Sequence, residues 1–320
     1  MEQSAPFTSS PSIIPNTMKP FRSGFVVLMG RPNCGKSTLL NAVLGEELAP
    51  VTPLPQTTRR RMAGVYTYAA MQIVFIDTPG IHRGSHRLNQ AMLNEAQNAV
   101  RDQSADCLCY LVDLSRDFGE EESLAAAIAG GAATPLLIVF NKKDLCTSVP
   151  GQKERFFSLF PKLADRPSVT ISAVKPETKR VFLAALEPFI KEGPRYFDDE
   201  TLTDADMRFF AAEFLRKHII LATRDEVPHA VFVEIESYRE LEKRHDIRAL
   251  IHVETVGQKG IIIGKKGALI TRIQTAAAEE LGRLAGCPVT LSCHIKVTPH
   301  WRDDKNFLQS VRFPSGPSGP

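Results

Sequence analysis

Nowhere in the 320 residues do apolar side chains run on for the ~18 positions that a bilayer-crossing helix needs. The N-terminal MEQSAPFTSSPSIIPNTMKPF has neither a basic start nor a long apolar core, so it does not read as a secretory signal. Its first arginine is Arg22, which argues against a transit peptide as well. Cysteine is sparse: six residues, with no C-x-x-C pair and no Cys/His metal spacing, as expected of free thiols in a reducing cytoplasm. No charge dominates either. The net +3 is too small to establish a nucleic-acid partner by itself, and Arg59-Arg60-Arg61, Lys259 and Lys265-Lys266 matter only if motifs surround them. What is present is ordinary globular material, 43% hydrophobic and 23% charged, enough for about two domains.

The ends, 1–20 and 313–320, are rich in Ser, Pro, Thr and Gly and read as disordered tails, with Met18 a candidate start. Between them the first half alternates strands and helices. FVVLMG (25–30), MQIVFID (71–77), DCLCYLVD (106–113), PLLIVFN (135–141) and SVTISA (168–173) are the strand candidates, and 36–45, 86–103, 120–130 and 177–191 the helices. Near-continuous apolar strands suit a parallel sheet covered on both faces, so residues 21–192 read as an open α/β domain. The charged, Gly- and Pro-containing stretch KEGPRYFDDE (191–200) breaks the pattern, and 193–203 is assigned as a linker. A second domain follows over 204–312. It opens with a helix capped by Thr203, continues through strands at 230–236 and 247–256 and a helix at 268–285, and closes on a strand at 288–298. No internal repeat is visible.

GRPNCGKST (30–38) fits G-x-x-x-x-G-K-[ST], and it follows a strand and opens a helix, as the phosphate loop requires. Its backbone N–H groups can wrap a β-phosphate because the glycines permit close approach. This makes Gly30, Arg31, Pro32, Asn33, Cys34, Gly35, Lys36, Ser37 and Thr38 nucleotide-binding candidates, with Lys36 for the β/γ-phosphates and Ser37 for Mg²⁺. DTPG follows the second strand: Asp77 for Mg²⁺ through water, Thr78 and Pro79 alongside, and the Gly80 N–H for a γ-phosphate. NKKD follows the fourth. Asp144 would accept both guanine N1–H and N2–H while Asn141 and Lys142 brace the base and the phosphate loop. Ser172, Ala173 and Val174 end the fifth strand, where their N–H groups can meet guanine O6. In this order at strand ends, the set reads as GTP binding rather than an ATPase or kinase.

QTTRRR (56–61) lies between these motifs and reads as a switch segment, with Thr58 the first choice and Thr57 the second to complete the Mg²⁺ shell. In small GTPases a glutamine directly after the DxxG glycine orients the attacking water; here that place is Ile81, so intrinsic turnover should be slow. The catalytic set is therefore Lys36, Thr58, Gly80 and Asn33. For Asn33 two readings stand side by side: its amide holds a monovalent cation, K⁺, beside the phosphates, or it stabilises the turn.

A second glycine loop, IIIGKKGALI (261–270), lacks that spacing and has no base reader nearby. It reads as the G-x-x-G loop of a KH domain between a strand-like run and a helix, with Gly264, Lys265, Lys266 and Gly267 gripping about four nucleotides of single-stranded backbone. The order α-β-β-α-β with G-x-x-G before the last helix matches the type II arrangement.

Over about residues 21–308 the chain resembles the Era family of ribosome-assembly GTPases. The resemblance rests on GRPNCGKST, PQTTRRR, DTPGIH, NKKD, SAVK, LTDADMRFFAAEFLRKHI with VPHAVFVEIE, and GQKGIIIGKKGALI. It implies a Ras-like P-loop GTPase domain followed by an α+β type II KH domain. It also implies a monomer that binds GTP and GDP with Mg²⁺ and binds single-stranded 16S ribosomal RNA near its 3′ end. Such a protein assists 30S subunit assembly and is cytoplasmic, with peripheral association with the inner face of the membrane. HWRDDKNFLQSV (300–311) resembles the family's last segment, which packs near the interdomain face. Cys34 stands where the family has valine, which would open the site to thiol reagents. Two other readings remain: an RNA-binding protein that senses GTP with negligible turnover, and a GTP-sensing protein with membrane- or division-linked protein partners.

Overall fold

The computed structural model describes residues 20–54, 58–102 and 104–311. The tails expected at 1–20 and 313–320 lie outside them, apart from Pro20. The first sheet contains β1 (Arg22–Met29), β2 (Met62–Tyr68), β3 (Met71–Asp77), β4 (Cys107–Asp113), β5 (Leu136–Asn141) and β6 (Ser168–Thr170), ordered β2-β3-β1-β4-β5-β6. β1, β3, β4, β5 and β6 run parallel, whereas β2 pairs antiparallel with β3 at the edge. Every residue of β4 and β5 is buried, because helices cover both faces. Those helices are α1 (Lys36–Leu44), α2 (Arg87–Arg101), α3 (Glu120–Gly130), α4 (Val149–Leu159) and α5 (Thr178–Leu186). All nucleotide motifs fall at the carboxyl ends of strands, where an open α/β sheet binds ligands.

β2 and α4 went unread in the sequence for different reasons. MAGVYTY mixes small and polar residues on an edge strand, which leaves little apolar signal. α4 buries only Phe156, so it has no apolar stripe; Ser148 caps it by accepting from the Gly151 N–H. The stretch after α5 is pinned rather than loose. β7 (Lys191–Glu192) pairs with Arg22 and Ser23 of β1, and Gln72 accepts from the Tyr196 and Phe197 N–H groups at 2.8 and 3.0 Å.

The second sheet, ordered β10-β9-β8, consists of β8 (Phe232–Leu241), β9 (Arg244–Val253) and β10 (Val289–Val297), with β9 antiparallel to β8 and parallel to β10. Helices α6 (Met207–Ala222) and α9 (Ala268–Ala285) pack against it, burying Phe210, Phe214, Ile219, Ile273, Ala277 and Leu281 in a common core. Three expectations change here. Asp206, not Thr203, caps α6, accepting from the Phe209 N–H at 2.7 Å; the Thr203 hydroxyl is committed to the Ala63 carbonyl of β2. Val227–Ala230 is a short helix, α7, and the strand begins after it at Phe232. The strand expected to reach 256 ends at Val253, and the isoleucine run before G-x-x-G is the end of a helix, α8 (Val256–Ile263). The order is thus α-β-β-α-α-β once α7 is set aside. A final helix, α10 (Lys305–Ser310), returns to the first half, where Trp301 is fully buried with Leu88, Met92 and Phe232.

Candidate nucleotide and RNA sites

The phosphate loop bends through left-handed backbone. Gly35 has φ +99°, and a Cβ there would stand 2.3 Å from the Asn141 amide nitrogen, so only glycine fits. That amide donates to the Cys34 carbonyl at 2.8 Å, while the Asn141 carboxamide oxygen accepts from the Ala173 N–H at 2.9 Å. One side chain therefore joins the phosphate loop, the NKKD segment and the Ser172–Val174 turn. The Ala173 N–H, expected at guanine O6, is engaged by Asn141 in this structure. Lys142, itself at φ +62°, forms a 2.8 Å ion pair with buried Asp113, and Asp144 is exposed. Ser172 is buried and Val174 is 68% exposed.

Lys36, 6% exposed, donates to the Gly30 and Arg31 carbonyls at 3.3 Å each, with its ammonium turned into the curve of the loop. Ser37, Thr58 and Asp77 converge. The Ser37 hydroxyl is 2.8 Å from an Asp77 carboxylate oxygen and 3.0 Å from the Thr58 hydroxyl, which is 3.4 Å from the same Asp77 oxygen. The other Asp77 oxygen, Oδ1, is buried without a hydrogen-bond partner, and burial pushes the carboxyl up from its ordinary pKa. Two hydroxyls beside an unsatisfied carboxylate suit a hard divalent ion that also takes phosphate oxygens. The described residues contain no cluster of three or more His, Cys, Asp or Glu that could hold a metal by itself. Thr57 lies outside the described residues.

Gly80 is pressed against the loop: a Cβ there would lie 2.8 Å from both the N and Cα of Pro32. Thr78 donates to the Leu28 carbonyl at 2.7 Å, fixing the turn. Ile81 is fully buried and packs in the second core with Met29, Ala96 and Tyr110, so it points away from the pocket. Asn33, at φ +59°, gives its amide to the Pro53 carbonyl at 2.9 Å, tying the phosphate loop to the segment leading to Thr58. Cys34 is 0% exposed and burial pushes its thiol up, which contradicts the expected sensitivity to thiol reagents. The Arg31 side chain also leaves the pocket, forming a 2.9 Å ion pair with buried Glu122. Sequence reading missed Arg116, which lines the pocket beside Pro32, Gly80 and Lys142; no motif marks it.

In the second half Gly264 (φ +72°), Lys266 (φ +50°) and Gly267 (φ +80°) form the turn between α8 and α9. A Cβ on Gly264 would meet that of Leu269 at 2.6 Å. Lys265 and Lys266 are exposed and form no ion pair among the described residues, so both charges are available to phosphate. Thr255 and Gln258 make a capping box at the start of α8, a sequence signal that marks this helix.

The two sites are physically joined. Arg59, directly after Thr58, is 3% exposed and donates to the Val231 and His229 carbonyls at 2.6 and 3.1 Å. Its guanidinium carbon lies 5.9 Å from the Trp301 ring centre. Arg60 donates to the Val311 carbonyl at 2.9 Å and lies 5.7 Å from the Phe232 ring centre. His86 and the Arg87 N–H hold the Asp303 carboxylate at 2.8 and 2.9 Å, and the Trp301 indole donates to Ala230 at 2.8 Å.

Comparison with known proteins agrees with this geometry. A family described as 50S ribosome-binding GTPase matches residues 25–142, and the KH domain family matches 226–302. The chain is 41% identical over 296 residues to GTPase Era of Geobacter metallireducens, covering 92% of this chain and 98% of the relative. It is 37% identical to GTPase Era of Synechocystis, covering 94% and 95%. A crystal structure of Era with MgGDPNP and nucleotides 1506–1542 of 16S ribosomal RNA aligns with a TM-score of 0.84 at 29% identity, covering 92% of this chain and 99% of that one. A variant of Aquifex aeolicus Era bound to GDP and aluminium fluoride aligns equally well, with a TM-score of 0.84 and the same identity.

Proposed function

The chain belongs to the Era family of GTPases, and we propose that it is a GTP-governed switch that binds single-stranded RNA near the 3′ end of 16S ribosomal RNA and assists 30S subunit maturation. One observation carries the switch. Thr58 sits on the Ser37–Asp77 cluster, while the next residue, Arg59, is sunk in the C-terminal half. Any movement of Thr58 on losing the γ-phosphate must pull on Arg59 and Arg60, and through them on Val231 and Val311.

In the proposed chemistry a water attacks the γ-phosphate in line. Lys36, the loop N–H groups and the Gly80 N–H stabilise the charge that develops. Ser37, Thr58 and, through water, Asp77 would hold Mg²⁺, which when bound would supply positive charge to the phosphates. With its amide given to Pro53, Asn33 keeps a carboxamide oxygen for K⁺. Because Ile81 cannot orient water, intrinsic turnover is slow. Asp144 reads guanine; Gly264, Lys265, Lys266 and Gly267 grip the RNA backbone. Residues 21–192 and 204–312 are the working domains of a cytoplasmic monomer with peripheral contact to the inner face of the membrane. Among the described residues no helix is long and apolar enough to cross a membrane.

The test is affinity for a short single-stranded RNA from the 3′ end of 16S rRNA, with GTP analogue, GDP or no nucleotide, at one fixed salt concentration. Tighter binding with the analogue, abolished by Lys265→Asp with Lys266→Asp, is expected. Equal binding in all nucleotide states would sink the coupling, and no binding would sink the RNA role.

A further inference from the structure

Two arginines stitch the phosphate loop to the segment after β4 in opposite directions. Arg31 donates from the loop to the Asp113 and Asp117 carbonyls at 3.2 and 2.9 Å. Arg116 donates back to the Pro32 carbonyl at 3.0 Å. The Arg31 half is interior: the residue is 5% exposed, and its Glu122 partner also takes the Tyr110 hydroxyl at 2.5 Å. The Arg116 half is different. Its side chain is 45% exposed and forms part of the pocket wall, and its Nε lies 3.0 Å from the Asp113 oxygen that pairs with Lys142 at 2.8 Å.

From this geometry we infer that Arg116 is a positioning residue for GTP hydrolysis, aligning Pro32 and Gly80 on the γ-phosphate side of the pocket. The inference rests on reading the pocket as the GTP site. The backbone of Pro32 is the surface against which Gly80 is pressed, and the Ile81 N–H donates to the Gly30 carbonyl at 3.0 Å, locking the two segments together. Ile81 is buried, so no side chain at that position aims the water, and alignment depends on these two stretches of backbone. Small displacements of such groups reduce rate steeply while leaving binding of the rest of the ligand intact. A guanidinium suits the task because its planar fork can hold a carboxylate and a carbonyl at once, which a lysine ammonium does less rigidly. Arg116 acts through Asp113 as well, by fixing the carboxylate that orients Lys142.

The experiment compares Arg116→Ala and Arg116→Lys with the unaltered full chain in Mg²⁺, measuring kcat and KM for GTP and Kd for GDP and for GDP with aluminium fluoride. In both variants kcat falls about tenfold and the aluminium fluoride complex weakens by the same factor, while KM and the GDP Kd move by less than about twofold. Unchanged kcat in Arg116→Ala overturns the inference. So does full recovery in Arg116→Lys, which would make charge alone sufficient. A loss of GDP affinity as large as the loss in kcat also overturns it, since the residue would then serve binding. If the unaltered protein bound no guanine nucleotide, the reading of the pocket would fall instead, before any variant was compared.

Discussion

Arg59 and Val231, 172 positions apart, are joined by a 2.6 Å bond from guanidinium to carbonyl oxygen. Burial, with repulsion from Arg216 and Arg302 against attraction from Glu213, pushes the Arg59 guanidinium down to about 9. The charge is therefore held where it is poorly compensated, by carbonyls rather than by a carboxylate of its own. A contact of this kind can be broken at modest energetic expense, which suits a part that must move.

Arg59→Ala should destabilise the folded chain by about 2 kcal/mol, since it leaves the Val231 and His229 carbonyls short of a donor but relieves the crowding of cations. Denaturant unfolding measures the loss. A change above about 5 kcal/mol would identify Arg59 as a core strut instead of a movable contact.

Magnesium binding should weaken with acid earlier than an ordinary carboxylate would allow. Burial raises the Asp77 pKa, so protons compete for the metal at a higher pH than for an exposed aspartate, near 4. The sign reverses without metal. The folded carboxyl then holds its proton more tightly than the unfolded one, so the metal-free protein gains stability from this group as pH falls through the raised value. Melting temperatures against pH, with and without Mg²⁺ and GTP analogue, should converge on acidification, and Asp77→Asn should remove the magnesium effect at every pH.

Guanine selectivity should reside in Asp144, whose exposed side chain is open to a ligand. Asp144→Asn replaces one of the two acceptor oxygens with an NH2 that opposes the guanine amino group and suits the xanthine carbonyl, costing about 100-fold in GTP affinity and shifting preference toward xanthosine triphosphate. Competition binding between the two nucleotides reads this directly.

Cys34 should resist alkylation. It is fully buried with its thiol pushed up, so maleimide labelling of the native chain, followed by peptide mapping, should leave it unmodified until the protein is denatured. Cys34→Val should retain nucleotide affinity.

The parts of the site that could be read from sequence are those whose chemistry demands particular residue types. Gly35 must be glycine because Asn141 occupies the space of a Cβ, and the Ser37–Thr58–Asp77 cluster needs hydroxyls and a carboxylate. The joint between the halves could not be read in this way. Arg59 ends there on backbone carbonyls, which every residue possesses, so Val231 leaves no signature of the contact, and within the first half the Pro32 carbonyl gives no sign of Arg116 either. The helix before G-x-x-G reads as strand-like because three β-branched isoleucines favour a strand locally, while the deciding signal is the Thr255–Gln258 box, which begins six residues before Ile261. Thr203 and Asp206 are both residue types that cap helices, and the Thr203 hydroxyl goes to the Ala63 carbonyl, a partner distant in sequence that no local pattern reveals.

Trp301, the single tryptophan of the chain, is fully buried at the joint, beneath Arg59. Its fluorescence on exchange of GDP for GTP analogue in Mg²⁺ tests the central claim most directly, because it reports the joint while the nucleotide changes the pocket. The account predicts different emission in the two states for the unaltered chain, and no difference in Arg59→Ala although both nucleotides still bind. Identical emission in both states of the unaltered chain, with nucleotide binding verified, would contradict it.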